Sequence, residues 1–305
     1  MIYTLTPNPA VDVVVSCDEL TPNRVTRTRD ASYSPNGKGL NVSFVLEHYG
    51  VPSTILGFFG GFTGTWIAEE AARTCPVKPV WIDGITRVNM FVNAGEDEYT
   101  MPNAGAPVER PQQQEMLDLI AGLEDLDTLV VSGSLSPLME PHYYEELTDI
   151  CHKKGAEIVL DMSHKSLAEL VKKEPLLIKP NDEEIEAIFG VDTKSDSDIV
   201  SALHHIHELG AKNILCTLGG RGAFFLDDRH IYRASAAKIK ILSTACAGDA
   251  TLAAFLSIWH DDRDAVVPAL TRAMATGADV ASSAGLGDLA RVDELANQIE
   301  VKVVE

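Results

Sequence analysis

Short apolar segments alternate with amphipathic ones after residue 110, and this alternation is the clearest pattern in the chain. The apolar segments have the length and composition of buried parallel strands, and they cover residues 128–132, 157–161, 176–179 and 213–217. The amphipathic segments predict helices over residues 141–154, 165–173, 182–189 and 197–209. Because strands that alternate with helices build layered folds, we predict an α/β fold with a mostly parallel central sheet flanked by helices.

The first 110 residues follow a less regular pattern. A strand is predicted over residues 2–5 and a helix over residues 40–49. Residues 12–36 and 85–103 are typical of exposed strands and loops, and we interpret them as two parts of one small β unit inserted into the α/β body. Since no long linker, internal repeat or low-complexity tract divides the sequence, residues 1–305 are expected to form a single domain.

The charge of the chain excludes several classes of function. The 305 residues include 25 basic and 45 acidic side chains, which gives a net charge of −20. Such a surface repels nucleic acid and anionic membranes, so neither is an expected partner. Residues 1–110 carry −4 of this charge and residues 111–305 carry −16, so an anionic ligand is better tolerated by the first part.

The cysteine pattern and the absence of several familiar motifs exclude further classes of protein. Five scattered cysteines without a C-x-x-C pair favour a reducing compartment, and with no signal-peptide pattern we expect a cytoplasmic protein. Gly37-Lys38 is followed by glycine, so it is not a P-loop, and no G-x-G-x-x-G opens a helix. The Ser132-Gly-Ser134 turn does not match a hydrolase nucleophile elbow.

Two glycine-containing segments precede predicted helices and offer candidate anion sites. Asn36-Gly37-Lys38-Gly39 places backbone N–H groups and one cation at a helix start, with Asn41 on its first turn. Residues 244–250 place small residues before a second helix, where Asp249 is positioned to accept a proton from an attacking hydroxyl. An ordinary loop in the first case, and an acidic residue that complements the helix dipole in the second, remain alternatives.

Two further segments follow predicted strands. Thr217-Leu-Gly219-Gly220-Arg221-Gly222 suits nucleotide phosphates, although a plain hairpin explains it equally. Asn181 and Glu184 share one helical face and suit water-mediated Mg²⁺ binding, with helix capping by Asn181 as the alternative.

In combination these motifs resemble the ribokinase-like (PfkB) sugar kinase family. The matching motifs, in order along nearly the whole chain, are Thr6-Pro-Asn8-Pro-Ala-Val-Asp12, Gly37-Lys-Gly39 with Asn41-Val42, Gly60 and Gly64, Arg87-Val-Asn89, Ser132-Gly-Ser-Leu135, Lys179-Pro-Asn181 with Glu184, Leu218-Gly219 with Gly222-Ala223, and Ala247-Gly248-Asp249. The opening motif and Arg87-x-Asn89 resemble the branch of 1-phosphofructokinases and tagatose-6-phosphate kinases. The resemblance implies a ribokinase-like sheet flanked by helices, with a small β lid formed by residues 12–36 and 85–103 that supports a homodimer.

The resemblance also implies a role for each matching residue. It makes Asp249 the general base and forms the anion hole from the amides of Ala247, Gly248 and Asp249. It assigns sugar hydroxyls to Asp12, Gly37 and Asn41, and the phosphate already on the substrate to Lys38 and Arg87. It assigns ATP and Mg²⁺ to Asn181 and Glu184, with the metal bound through water, and further nucleotide contacts to Thr217, Gly219, Gly220, Arg221 and Gly222.

The sequence departs from the family pattern beside the implied base. Cys246 and Ala250 stand where the family usually has glycine and a small hydroxyl residue. The expected function is ATP-dependent phosphorylation of a ketohexose monophosphate, with fructose 1-phosphate as the leading substrate. The alternatives are a tagatose-6-phosphate kinase and, because of the two departures, a catalytically weak sugar-phosphate-binding regulatory protein.

Overall fold

The computed structural model describes residues 1–305 and contains fourteen strands in two sheets. The strands are Ile2–Thr6 (β1), Ala10–Cys17 (β2), Asp30–Asn36 (β3), Ser53–Phe59 (β4), Val77–Trp81 (β5), Arg87–Ala94 (β6), Asp97–Met101 (β7), Thr128–Ser132 (β8), Glu157–Asp161 (β9), Leu177–Ile178 (β10), Ile214–Thr217 (β11), Ala223–Leu226 (β12), Ile231–Ala234 (β13) and Val301–Val303 (β14).

The larger sheet has ten strands in the order β14-β13-β12-β11-β10-β9-β8-β1-β4-β5. The seven neighbouring strands β11, β10, β9, β8, β1, β4 and β5 are parallel to one another. Strands β12, β13 and β14 extend the sheet beyond β11 with antiparallel pairs. The four predicted apolar segments are all strands of the parallel part. Strand β10 is shorter than expected because Pro180 lacks the N–H that would continue the ladder.

Ten α-helices cover the larger sheet. They are Lys38–His48 (α1), Gly61–Ala71 (α2), Arg110–Ala121 (α3), His142–Lys154 (α4), Leu167–Leu170 (α5), Asp182–Phe189 (α6), Asp196–Glu208 (α7), Ala247–Trp259 (α8), Val266–Ala281 (α9) and Val292–Ala296 (α10), with 3₁₀ turns at Val171–Lys173 and Gly219–Arg221. Helices α3 to α7 contribute to a core of 37 buried residues. Helices α1, α8, α9 and α10 contribute to a second core of 30. The sheet is apolar on both faces because each face packs against helices.

The second sheet has four strands in the order β3-β2-β6-β7. Its central pair, β2 and β6, is parallel, and the two outer strands are antiparallel to their neighbours. These strands lie mostly within residues 12–36 and 85–103, the segments interpreted above as one small β unit. Strand β2 begins four residues after β1 ends, and β3 ends two residues before α1 begins, so both connections to the larger sheet are short.

No helix of the structure combines the length and the apolar composition that crossing a membrane requires.

Candidate active site

A cavity of about 750 Å³ lies between the carboxyl ends of the parallel strands and the second sheet. In an open α/β sheet this edge is where ligands bind. The predicted residues that line the cavity are Asp12, Gly37, Lys38, Asn41, Arg87, Asn181, Glu184, Thr217, Gly219, Gly220, Gly222, Ala247, Gly248 and Asp249. Arg221 is not among the lining residues, and its guanidinium donates to Oδ2 of Asp182, a residue that does line the cavity, at 2.6 Å.

The start of helix α8 presents free donors to this cavity. No backbone carbonyl accepts a hydrogen bond from the amides of Gly248 and Asp249. A Cβ added to Gly248 would lie 3.5 Å from Lys179 Nζ, so a buried ammonium group adjoins the same helix start. Cys246, the N-cap, adopts the left-handed conformation with φ 63°. Unpaired amides, the helix dipole and a cation together form an anion site.

Asp249 lies in the first turn of α8 and is 5% exposed. Its Oδ2 accepts a hydrogen bond from Asn41 Nδ2 at 2.9 Å. Burial and the nearby Asp161 carboxylate raise the pKa of Asp249 to about 6, while Lys38, Asn41 and Lys179 act in the opposite direction. A carboxylate with this pKa is mostly ionised at neutral pH and a better proton acceptor than an exposed one.

Asp161 anchors two lysines at the end of β9. Its Oδ1 lies 3.0 Å from Lys179 Nζ and 3.4 Å from Lys38 Nζ. Burial opposes ionisation of Asp161, but the two ammonium groups hold its pKa below the ordinary value. In turn, the Asp161 carboxylate raises the pKa of Lys38 against the effect of burial. No role was predicted for Asp161 or Lys179, although each is the polar residue that ends one of two neighbouring apolar segments. That position was the signal that could have identified them.

Lys38 and Arg87 have different surroundings, although both were predicted to bind the substrate's phosphate. The carboxylates that act on the pKa of Lys38 are Asp161, Asp249 and Glu184. Burial lowers the pKa of Arg87, and Asp12 is the carboxylate that opposes this effect. Lys38 therefore belongs to the cluster around Asp249, whereas Arg87 belongs to the part of the cavity near the second sheet.

Asp12 and its neighbours form a polar network on the second sheet. Asp12 is buried, and its carboxylate accepts hydrogen bonds from Asn89 Nδ2 at 2.8 Å and from Asn36 Nδ2. Burial raises the pKa of Asp12, and the two amides oppose this. Asn36 Oδ1 in turn accepts from Asn41 Nδ2 at 3.0 Å. Asp12, Asn36 and Asn41 thus offer several hydrogen-bonding groups to a polyhydroxy ligand.

Gly37 joins this network to helix α1 in a conformation that glycine favours. Its φ is 155°, and an added Cβ would lie 2.5 Å from Thr6 Cγ2. The sequence motif around Gly37 therefore reflects a steric requirement as well as a candidate ligand contact.

The Thr217–Gly222 segment leads to an apolar wall that the sequence analysis missed. Gly219 and Gly220 have open space around their Cβ positions. Beyond them the cavity is lined by Ala236, Ala237, Ile239, Ile241, Met274, Ala278 and Ala281. These residues come from two distant segments, residues 236–241 and helix α9, so no local motif marks them. A glycine turn next to an apolar wall suits phosphates attached to a flat aromatic base.

Asn181 and Glu184 form a reciprocal helix cap at the start of α6. Asn181 Oδ1 accepts from Glu184 N at 2.7 Å, and Glu184 Oε2 accepts from Asn181 N at 2.9 Å. The capping alternative is therefore present in the structure. No cluster of three His, Cys, Asp or Glu side chains is arranged to hold a metal ion directly. Glu184 nevertheless lines the cavity and has its Oε1 outside the cap, which fits a hydrated Mg²⁺ better than a directly ligated one.

Comparisons with known proteins agree with this arrangement. The chain is 45% identical over 302 residues to a D-tagatose-1-phosphate kinase from Klebsiella oxytoca, which covers 99% of both chains. It is 32% identical over 261 residues to a 1-phosphofructokinase from Bacillus subtilis, covering 84% of this chain and 85% of that one. The fold matches phosphofructokinase-2 from Escherichia coli with a TM-score of 0.88, 24% identity, and coverage of 97% of this chain and 98% of that one.

The structural match confirms the predicted ribokinase-like fold of a mostly parallel sheet flanked by helices. The sequence profile described as pfkB family carbohydrate kinase matches residues 6–291. This range includes every motif used above, and it confirms the predicted enzyme class. The chain therefore belongs to the pfkB family of carbohydrate kinases.

Proposed function

We propose that this carbohydrate kinase transfers the γ-phosphoryl group of ATP to the C6 hydroxyl of a ketohexose 1-phosphate. The observation that carries the proposal is that Arg87 and Asp249 line one cavity together with the hydroxyl-binding candidates Asp12 and Asn41. A guanidinium group binds phosphate oxygens through paired hydrogen bonds. With the substrate's phosphate on Arg87, the opposite end of the sugar is directed to the Asp249 carboxylate.

D-tagatose 1-phosphate is the first substrate to test. Two similar proteins, 45% and 38% identical to this chain, are D-tagatose-1-phosphate kinases, while the 1-phosphofructokinases are 32% identical. Fructose 1-phosphate, the leading expectation from the sequence, is its epimer at C4 and is the second candidate. The tagatose 6-phosphate and regulatory alternatives are less favoured, because these relatives are kinases that act on 1-phosphates.

Asp249 is the proposed general base. It takes the proton of the acceptor hydroxyl as the new O–P bond forms and ADP leaves with the electrons of the broken bond. The hydrogen bond from Asn41 orients the carboxylate. Its pKa of about 6 keeps most of the population ionised at pH 7.

The proposed anion hole consists of the amides of Gly248 and Asp249 together with the buried Lys179. These groups are fixed before the reaction, so little reorganisation is needed as charge moves in the transition state. The amide of Ala247, which the resemblance also assigned to the anion hole, donates instead to the carbonyl oxygen of Thr244 at 3.4 Å. The contact of Lys38 with Asp161 and its proximity to Asp249 favour a role at the transferring phosphoryl group. We therefore assign Lys38 to this group instead of the phosphate that the substrate already carries.

The glycine turn over Thr217–Gly222 and the apolar wall are the proposed ATP site. PfkB carbohydrate kinases use ATP, normally with a divalent metal, which would supply positive charge to the phosphate groups when bound. Glu184, through the Oε1 atom that the cap leaves free, and Asn181, through the second lone pair of its Oδ1, are the residues that would hold hydrated Mg²⁺. Arg221 is not included, because it does not line the cavity and its guanidinium is paired with Asp182.

The second sheet is also the proposed homodimer surface. Its strands or the loop between them expose the large apolar residues Val25, Tyr33, Met90, Tyr99 and Met101. Exposed apolar groups of this kind mark protein–protein contacts. Light scattering is expected to give a dimer, and Tyr33→Asp is expected to weaken it. A monomeric wild-type protein at micromolar concentration would contradict the proposal.

An ADP-release assay tests the function directly. The substrates are the 1-phosphates and 6-phosphates of tagatose and fructose and the two free sugars. We expect turnover with a 1-phosphate, a loss of at least a thousandfold in kcat for Asp249→Asn, and a larger KM increase for phosphorylated than for free sugars in Arg87→Ala. Arg110→Ala is the matched control, since Arg110 pairs with Glu146 on the surface. No turnover with any sugar phosphate would reject the proposed function.

A further inference from the structure

Asn8 is a buried residue of the opening sequence motif and has no role in the mechanism above. It lies between β1 and β2 and is 7% exposed. Its side-chain Nδ2 donates to the carbonyl oxygen of Ala104 at 3.1 Å and to that of Leu135 at 3.4 Å. One amide group therefore joins three segments that are distant in sequence.

Two of these three segments also hold the Arg87 guanidinium. Arg87 NH2 donates to the backbone oxygen of Asn8 at 2.9 Å, and NH1 donates to that of Asn103 at 3.0 Å. Both carbonyl acceptors thus belong to Asn8 itself or to the turn that its side chain holds. NH1 and NH2 each carry a second hydrogen that these two carbonyls do not take, so the guanidinium keeps hydrogen-bonding capacity for a ligand.

The turn after Asn103 packs tightly against both side chains. A Cβ added to Gly105 would lie 2.5 Å from Asn8 Oδ1 and 3.5 Å from Arg87 Cδ. On the other side, Ser136 Oγ donates to the oxygen of Pro7 at 2.9 Å. The chain around Asn8 is therefore held from two directions, and its carbonyl acceptor has little freedom to move away from Arg87.

Beyond Arg87 a second cavity of about 740 Å³ opens, and Asn8, Asn103 and Leu135 are among its lining residues. Arg87 lines both cavities. Without its two carbonyl acceptors the guanidinium has room to rotate into this second cavity. A ligand that binds to only one orientation of the guanidinium group loses affinity when that orientation is no longer fixed.

We infer that Asn8 is a positioning residue that fixes the Arg87 guanidinium for the phosphate already on the sugar. It acts through two carbonyl contacts, its own and that of the Asn103–Ala104 turn. The inference rests on the proposed function, because it concerns the affinity for a phosphorylated sugar. It assigns Asn8 to substrate selection and not to the phosphoryl transfer itself.

The test is a double-mutant cycle measured by steady-state kinetics. Asn8→Ala is expected to raise KM for the ketohexose 1-phosphate about tenfold, with kcat and the KM for ATP within twofold of wild type. In an Arg87→Ala background the same substitution is expected to change KM less than twofold, since the group it positions is gone. Asn8→Asp keeps the shape but removes both N–H donors, and it replaces Asn8→Ala if that variant does not fold.

Gln113 provides the matched control. It is 5% exposed, and its Nε2 donates to the carbonyl oxygens of Val108 at 2.8 Å and Leu138 at 3.3 Å. Gln113→Ala therefore removes two side-chain hydrogen bonds to backbone carbonyls, as Asn8→Ala does, but leaves the contacts of Arg87 unchanged. It is expected to lower Tm and to leave the KM for the sugar phosphate unchanged. Equal KM increases in Gln113→Ala, or additive losses in the Asn8–Arg87 cycle, would overturn the inference while leaving the wild-type turnover intact. Absence of wild-type turnover would instead reject the proposed function, and the inference with it.

Discussion

Replacing Asp249 by Asn is expected to make the folded protein more stable while removing its activity. Burial and the Asp161 carboxylate raise the pKa of Asp249 to about 6 from the ordinary 3.8. The folded chain therefore binds this proton more tightly than the unfolded chain. The contribution of the protonated Asp249 carboxyl to the free energy of unfolding is present in full at pH values below about 4, and it is lost as the pH rises through 6.

The magnitude follows from the two pKa values. Each unit of pKa corresponds to about 1.36 kcal/mol, so ionised Asp249 lowers the free energy of unfolding by about 3 kcal/mol above pH 7. The amide of Asp249→Asn avoids this penalty and still accepts the Asn41 hydrogen bond. We expect the gain to be near its full value at pH 8 and to fall to about half at pH 5. For a chain of this size the gain at pH 8 corresponds to roughly 5–10 °C in Tm.

The assay is thermal or urea unfolding of both proteins between pH 5 and pH 8, together with the ADP-release assay. Asp161→Asn is the matched control, for which the opposite change in stability is expected. Its carboxylate is equally buried, but two lysines hold its pKa below the ordinary value, so this variant is expected to lose stability at pH 8. An Asp249→Asn variant that is less stable than wild type at pH 8, or a gain that does not depend on pH, would refute the reasoning.

Four further results are expected. Below pH 6 the wild-type kcat should fall about tenfold per pH unit as Asp249 is protonated, and a flat profile down to pH 5 would speak against a base with this pKa. Lys38→Ala should lower kcat at least a hundredfold with less than a threefold change in sugar KM, whereas the opposite pattern would return Lys38 to the substrate's phosphate. Cys246→Gly should raise the free energy of unfolding by about 1 kcal/mol, because it relieves the left-handed conformation; a less stable variant in urea unfolding would argue against this strain. Gly222→Ala should lower Tm sharply, since its φ is 96° and its Cβ would lie 2.1 Å from the oxygen of Ala234, and an unchanged Tm would be inconsistent with this packing.

The features that the sequence could predict are those that depend on neighbouring residues. The four apolar segments after residue 110 are strands because each is short and apolar, and the first three are followed by helices. The glycine segments before α1 and α8 were recognisable because helix starts and close backbone approaches need small residues. Local patterns of this kind were enough for the fold and for most of the cavity lining.

The features that the sequence could not predict depend on contacts between distant segments. Lys38 and Asp161 are 123 positions apart, and only the parallel sheet brings them together. Arg221 was expected at the nucleotide, but Asp182, 39 positions away, takes its guanidinium. Asn8 and Leu135 meet over 127 positions. Local patterns contain no information on such pairings. The surroundings of Lys38 and Arg221 were therefore predicted wrongly, and no role was predicted for Asp161 and Asn8.

The hydrogen bonds of Asn41 connect the position of the second sheet to the state of the proposed base. One hydrogen of its amide goes to Asn36 on that sheet at 3.0 Å and the other goes to Asp249 at 2.9 Å. Displacing Asn36 would remove the partner that fixes the Asn41 amide plane and would leave the Asn41–Asp249 hydrogen bond less constrained. The order of the sugar-side network and the orientation of the proposed base therefore depend on one amide group.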